Sequence, residues 1–274
     1  MNSSFIIQPT RLNTESADLY LKINPQGIAY IILENNTCMG LATFHFPAGA
    51  TDAIVVASIH ELMKEQPVLQ QAFKNVYIIY GYPQSILVPN ELMNEENNKA
   101  MLDLVFGDAS DAVVRNEYVY RHLIHNVYSV PAEVDAVLAR YFELGSFTHL
   151  YSLLPDVIKN SGTHLYCIFD TGQLTTVLLK EGKLQVVQSY CYKTPDDVAY
   201  YLLNICQRFE TDLSVVTVHL SGMIDATSAL YSELYKYFLN VFFEALPEEY
   251  EYPESISKYP PHYFSHLFAV ASCV

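Results

Sequence analysis

Across residues 166–192 the chain reads as three β-rich apolar runs parted by two short polar breaks, Asp170-Thr171-Gly172 and Glu181-Gly182. The runs favour β-branched and aromatic residues, and the breaks hold the residue types that tight hairpins need. The pattern predicts an antiparallel meander of three strands. The same punctuation stands near the N-terminus. Displaced by 146 positions without a gap, Ile28-Ala29-Tyr30-Ile31-Ile32-Leu33 falls on Leu174-Thr175-Thr176-Val177-Leu178-Leu179. Asn35-Asn36 then falls on Glu181-Gly182, and Thr43-Phe44-His45-Phe46 on Ser189-Tyr190-Cys191-Tyr192. Identities are few, but the shared order of strand, turn, strand, turn, strand predicts an internal duplication.

The stretches between the meanders carry their own periods. Thr51 or Asp52 caps a predicted helix to about Lys64, with Ile54, Val55, Ile59 and Leu62 mostly on one side. Val76-Tyr77-Ile78-Ile79-Tyr80 runs without a polar break to Gly81, the mark of a strand buried on both faces. A short strand over 86–89, a helix over 90–104, and strands over 118–122 and 126–130 follow. Pro131 opens a helix whose Val134, Val137, Leu138 and Tyr141 share a face, closed by Gly145. Residues 149–154 read as a strand or a strand-like connection. Asn160-Ser161-Gly162 is polar and immediately precedes the second copy, so the expected division is 1–158 and 159–274.

Beyond the second meander, Thr194-Pro195-Asp196-Asp197 combines a capping hydroxyl, a first-turn proline and two acids. Val198, Tyr201, Leu202, Ile205 and Phe209 form the stripe of the helix it starts. Residues 213–220 predict a strand that ends in Ser221-Gly222. Leu230, Leu234, Tyr237, Phe238, Val241 and Phe242 predict another amphipathic helix, and a last helix is expected over 262–271.

Composition changes this picture mainly by exclusion. A chain of 274 residues suits two domains that each bury a core, and 51% apolar with 16% charged residues describes a packed protein. The formal charge of −15 argues against a nucleic-acid partner and against an anionic membrane surface. No apolar run approaches membrane-spanning length, and residues 1–14 lack the basic start and apolar core of a signal peptide. The five cysteines lie mostly inside apolar segments, without metal or disulfide spacing, which points to a cytoplasmic protein. His122 and His125 lack a third ligand nearby, and Asp103, Asp108 and Asp111 do not follow a Ca²⁺-loop spacing.

A β-β-β-α-β unit occurring twice resembles the duplicated ribonuclease-H-like fold of the actin, sugar-kinase and Hsp70 superfamily. Within it, the chain is similar to a family of uncharacterised bacterial proteins with an actin-like ATPase fold, related in shape to actin-like components of pilus and secretion machinery. The resemblance implies an α/β protein of two similar domains, each with a mixed β-sheet and helices, and a last helix that crosses back onto the first half. It also implies where Mg-ATP would bind. The second-half phosphate motif falls on Asp170, Thr171 and Gly172, with Thr175 and Thr176 just beyond, and the adenosine-side turn falls on Ser221, Gly222 and Met223, half a match. The first-half motif falls on Asn24-Pro25-Gln26-Gly27, where the carboxylate is missing and a proline removes one backbone donor.

Each motif has a plainer reading beside it. Asp-Thr-Gly is also an ordinary hairpin turn, and Ser221-Gly222 is also ordinary loop chemistry. The preferred function is therefore a non-catalytic or degenerate actin-like module, without a cofactor, acting in protein interaction or assembly. The alternatives are a weak Mg-ATP-binding protein or slow ATPase using Asp170, and a small-metabolite kinase. The acidic-aromatic segment 244–254, with Glu244, Glu248, Glu249, Glu251, Glu254, Tyr250 and Tyr252, offers a docking surface for a positively charged partner.

Overall fold

The computed structural model describes residues 2–9, 12–108, 110–158 and 161–274. The chain forms two compact units. The first takes Met1–Ser152, Glu248–Ile256 and Val274; the second takes Leu153–Pro247 and Ser257–Cys273. Of the expected boundary residues, Lys159 and Asn160 lie outside the described residues.

The first unit is built on the first meander. Strands β1 (Asn2–Ile7), β2 (Ala17–Asn24), β3 (Gly27–Glu34) and β4 (Thr37–His45) are followed by helix α1 (Asp52–Glu65) and β5 (Asn75–Tyr80). Then come β6 (Ser85–Pro89), α2 (Asn98–Phe106), β7 (Ala112–Val119), β8 (Ile124–Pro131), α3 (Ala132–Tyr141), β9 (Ser146–His149) and α4 (Leu150–Val157). The main sheet has the order β1-β4-β3-β2-β5-β9, with β5 and β9 added in parallel to β2. Leu19, Leu21, Ile23, Tyr30 and Ile78 from the strands pack with Val55, Ile59 and Leu62 of α1 and Val134 and Leu138 of α3 in one core. A smaller antiparallel sheet, β6-β8-β7, carries α2, whose Leu102 packs with Val88 and Val127.

The second unit repeats the main sheet. Strands β10 (His164–Asp170), β11 (Gln173–Lys180), β12 (Lys183–Cys191), β13 (Thr217–Gly222) and β14 (Asn240–Phe243) take the order β12-β11-β10-β13-β14. Helix α5 (Pro195–Arg208) lies between β12 and β13; α6 (Ala229–Leu234) and α7 (Ser265–Ala271) complete the unit. Leu165, Cys167, Phe169, Leu174, Val198, Leu202 and Leu220 sit at the centre of its core. The repetition extends to register. Asn24 pairs with Gly27 as Asp170 pairs with Gln173, and the ladders slip after Ile32 and after Leu178, again 146 apart. Both second turns hold two residues at positive φ, Asn35-Asn36 and Glu181-Gly182, the backbone a two-residue hairpin requires.

Four local expectations are corrected. The helix expected over 90–104 is two short 3-10 turns followed by α2 alone. The strand expected over 118–122 is β7, which starts at Ala112 and ends at Val119; Arg115, Asn116 and Glu117 inside it obscure the apolar signal. Residues 149–154 turn helical in α4: Tyr151 and Leu154 are buried, and a short apolar run does not distinguish strand from helix. The helix expected to reach Phe242 stops at Leu234, because residues 240–243 pair in parallel with β13. There Val241 is buried and Phe242 is exposed, the period of a strand. The last helix, α7, packs on β13 within the second unit. Among the described residues, no helix is long and apolar enough to cross a membrane.

Candidate functional site

The residues that the phosphate motifs select lie at two hairpins and one strand end. In the second unit, β10 ends at Asp170, and Thr171 and Gly172 turn the chain into β11. Gly172 has φ +71°, and a Cβ there would meet nothing nearer than the Tyr192 carbonyl at 3.7 Å. Tyr192 closes the turn: its N–H donates to the Gly172 carbonyl at 3.0 Å and its hydroxyl to the Asp170 carbonyl at 3.4 Å. Burial, and then the charge of Asp170, raises the Tyr192 phenol above its usual range. Asp170 is half-buried and Thr171 exposed.

Gly222 stands beside this turn, because β13 runs parallel to β10 with Gly222 opposite Phe169. Its φ is +85°, and a Cβ would lie 2.2 Å from the Phe169 carbonyl oxygen. Only glycine lets the two backbones come this close. The Met223 N–H donates to the same oxygen at 2.7 Å. Asp170, Thr171, Gly172 and Gly222 thus share the C-terminal end of two adjacent parallel strands, where open α/β sheets bind ligands.

The other two candidates are committed elsewhere. Thr175, 1% exposed, bonds across the sheet to the Ser189 hydroxyl at 2.8 Å. Ser221, 4% exposed, donates to the His262 carbonyl at 3.0 Å, touches the Ser265 hydroxyl at 2.7 Å and accepts from the His266 N–H at 3.2 Å. It pins the segment leading into α7. Lys180 is likewise occupied, its ammonium donating to the Phe209 and Glu210 carbonyls beyond the end of α5.

The first hairpin differs in its chemistry. Asn24 is 3% exposed, and its side-chain oxygen accepts the N–H groups of Gln26 at 3.0 Å and Gly27 at 2.9 Å. Pro25 has no N–H to give. The turn's donors are consumed by its own side chain, in an Asx turn.

Two polar constellations escaped the sequence reading. In the second unit, Glu244 Oε1 lies 2.7 Å from His219 Nδ1, His219 Nε2 lies 2.9 Å from His164 Nδ1, and His164 Nε2 lies 3.0 Å from the Ser161 carbonyl. In the first unit, Glu117 accepts from the Tyr128 hydroxyl, from Thr148 at 2.9 Å and from the His149 N–H at 3.2 Å, while Arg115 holds Asp135 at 2.8 Å. Both join residues far apart in sequence, and no local spacing announces them. Among the described residues no cluster of His, Cys, Asp and Glu is arranged to hold a metal ion.

Two β-β-β-α-β sheets of equal order and register, with hairpins at the strand ends where the superfamily holds phosphate, define the actin-like ATPase fold. The chain belongs to the DUF3822 family, described as proteins of unknown function, whose model matches residues 8–241. Among solved structures, it is similar to a Bacteroides thetaiotaomicron protein with an actin-like ATPase fold and unknown function, at 16% identity and TM-score 0.74 over 84% of this chain and 91% of that one. It is also similar to a chain of the PilM-PilN type IV pilus biogenesis complex, at 15% identity and TM-score 0.63 over 94% and 98%. The ethanolamine utilization protein EutJ from Carboxydothermus hydrogenoformans matches at 8% identity and TM-score 0.51 over 98% and 93%. No curated protein matches the sequence.

Proposed function

We propose that the protein is a non-catalytic actin-like module that works by binding protein partners. The first hairpin carries this reading. Mg-phosphate needs converging N–H donors and hard anionic oxygens; here Asn24 takes the donors for itself and contributes no charge. The commitments of Thr175 and Ser221 support the same reading. So does the similarity to PilM, a protein known in complex with PilN, as a likeness of fold. The docking surface proposed is the segment 244–254, in which Glu248, Glu249, Glu251 and Glu254 are exposed. Its middle is anchored in the first unit: the Glu251 N–H donates to the Asn36 carbonyl and the Cys38 N–H to the Glu251 carbonyl, at 2.9 and 2.8 Å.

A second reading, weak Mg-ATP binding through Asp170, Thr171 and Gly172, draws on one observation: the open Gly172 turn stands beside Gly222 at the C-terminal strand ends. Melting curves with and without Mg-ATP, on the parent and on Asp170→Ala, separate the two. A ligand at a hundred times its dissociation constant adds about 2.7 kcal/mol of apparent stability, a rise of a few degrees for a protein of this size. The expected result is no rise in either protein. A rise in the parent that vanishes in Asp170→Ala would make this turn a working phosphate site and replace the present proposal.

A further inference from the structure

The first unit contains a cavity of about 420 Å³ that the phosphate motifs do not explain. Pro25 of the first hairpin, the start of α1, the link after β5, the end of α2 and the start of β7 enclose it. Val55, Leu102 and Phe106 give it apolar walls, while Asp52, Asp103, Asp108 and Asp111 line it with negative charge. Among the described residues no lysine or arginine lines it.

The four carboxylates are not equivalent. Lys99 already holds Asp103 at 2.6 Å and Asp108 at 3.0 Å. That ammonium, on its aliphatic stem, shows on the molecule itself how this rim receives a cation. Asp52 and Asp111 have no ion pair or side-chain hydrogen bond among the described residues. A further polar group waits in the wall. Tyr82 lines the cavity, is 4% exposed, and has a buried hydroxyl without a hydrogen-bond partner. Burial raises its phenol well above the usual range, and the charge of Asp52 adds to the rise. That hydroxyl is left as an uncompensated polar group in the cavity wall.

We propose that this cavity binds an organic cation, an ammonium or guanidinium group on an apolar stem, with its head on Asp52 and Asp111 and its stem on Val55, Leu102 and Phe106. Charge excludes the competing classes. A nucleotide or phosphate ester would face carboxylates with no cation lining the wall. A bare metal ion would leave most of the volume empty, since a water-sized occupant takes roughly 30 Å³. The volume lies in the range of small-molecule sites, about 300–1,000 Å³. Two sources carry this chemistry, a free amine or an arginine side chain of a protein partner.

The test titrates the full chain with agmatine and with the peptide acetyl-Val-Arg-Val-amide by calorimetry, and repeats both on Asp52→Asn/Asp111→Asn. Saturable one-to-one binding that weakens at least about tenfold in the double variant is expected, roughly the loss of one charge-assisted contact. Tighter binding of agmatine identifies a free amine as the ligand, and tighter binding of the peptide identifies a partner's arginine. Amide chemical shifts of the parent provide a check that requires no variant to fold: agmatine should move residues near 52, 82 and 111. Binding equally strong in the double variant, shifts spread over the acidic surface, or no saturable binding of either probe would overturn the proposal.

Discussion

At the scale of single residues, His149 shows how burial fixes a protonation state. It is fully buried; its Nε2 faces the Tyr82 carbonyl at 3.0 Å, while Nδ1 faces the Asn126 amide nitrogen and the Tyr151 N–H, each at 3.1 Å. One acceptor on one side and two donors on the other require the neutral ring with its proton on Nε2. Burial lowers its pKa from 6.5 to about 3. The unfolded chain therefore binds a proton that the folded chain refuses. Stability attributable to this group is complete above about pH 6.5 and falls as the pH drops toward about 3, by up to about 1.4 kcal/mol per pH unit. Denaturant midpoints of the parent and of His149→Gln, compared between about pH 7 and about pH 4.5, should show the steeper acid loss in the parent. Parallel curves would mean that the ring is solvated and not locked. Glu117, in the same region, predicts a second loss. Glu117→Ala leaves the Tyr128 and Thr148 hydroxyls without their acceptor and should cost about 2–4 kcal/mol, read as a lower denaturant midpoint at unchanged slope.

At the scale of elements, the chain is most legible where local chemistry and tertiary role agree. The two meanders, α1, β5, α3 and α5 stand where their periods place them. Thr194 caps α5 in a full capping box: its hydroxyl accepts the Asp197 N–H, and the Asp197 carboxylate accepts the Thr194 N–H. Thr194→Ala should therefore cost about 1 kcal/mol, a fall of a few degrees in Tm, without moving the rest of the fold. Legibility ends where long-range pairing decides. Strand β14 follows a helical spacing, and β7 interrupts its apolar residues with Arg115, Asn116 and Glu117, which bond to Asp135, His125 and Tyr128. The candidate site divides in the same way. Asp170-Thr171-Gly172 was visible as a turn, but the use of Ser221 as an anchor for the α7 segment depends on residues 41 to 45 positions away. The Asn24 side chain's claim on its own turn could have been suspected, since Asn ahead of a turn commonly bonds two residues on.

At the scale of the whole molecule, charge sets what can approach. A net −15 with the exposed glutamates of 248–254 favours basic partners. Capture of such a partner should weaken as salt rises, since exposed charges are screened over about 8–10 Å at ordinary ionic strength. Pull-down with the parent and with a Glu248→Gln/Glu249→Gln/Glu251→Gln variant, at low and high salt, measures this; undiminished capture by the variant would move the docking surface elsewhere. Along the chain, the segment also passes from the second unit into the first. Residues 248–256 return to the first unit between the two stretches that make up the second, so neither unit is a single continuous stretch of chain. A division read from sequence alone, cut once near 158, does not describe this return, because the returning backbone bonds of Glu251 have no signature in residue type.

The slipped register shared by the two meanders bears on descent. In β4 the additional residue is Met39, in β12 it is Gln185, and they stand 146 apart. An inserted residue turns every later side chain to the opposite face, so two sheets seldom acquire it independently at one position. The shared slip favours descent of the two units from one ancestral unit over separate origins. The side chains around it have since diverged almost beyond recognition, and the irregularity has outlasted them as the older record.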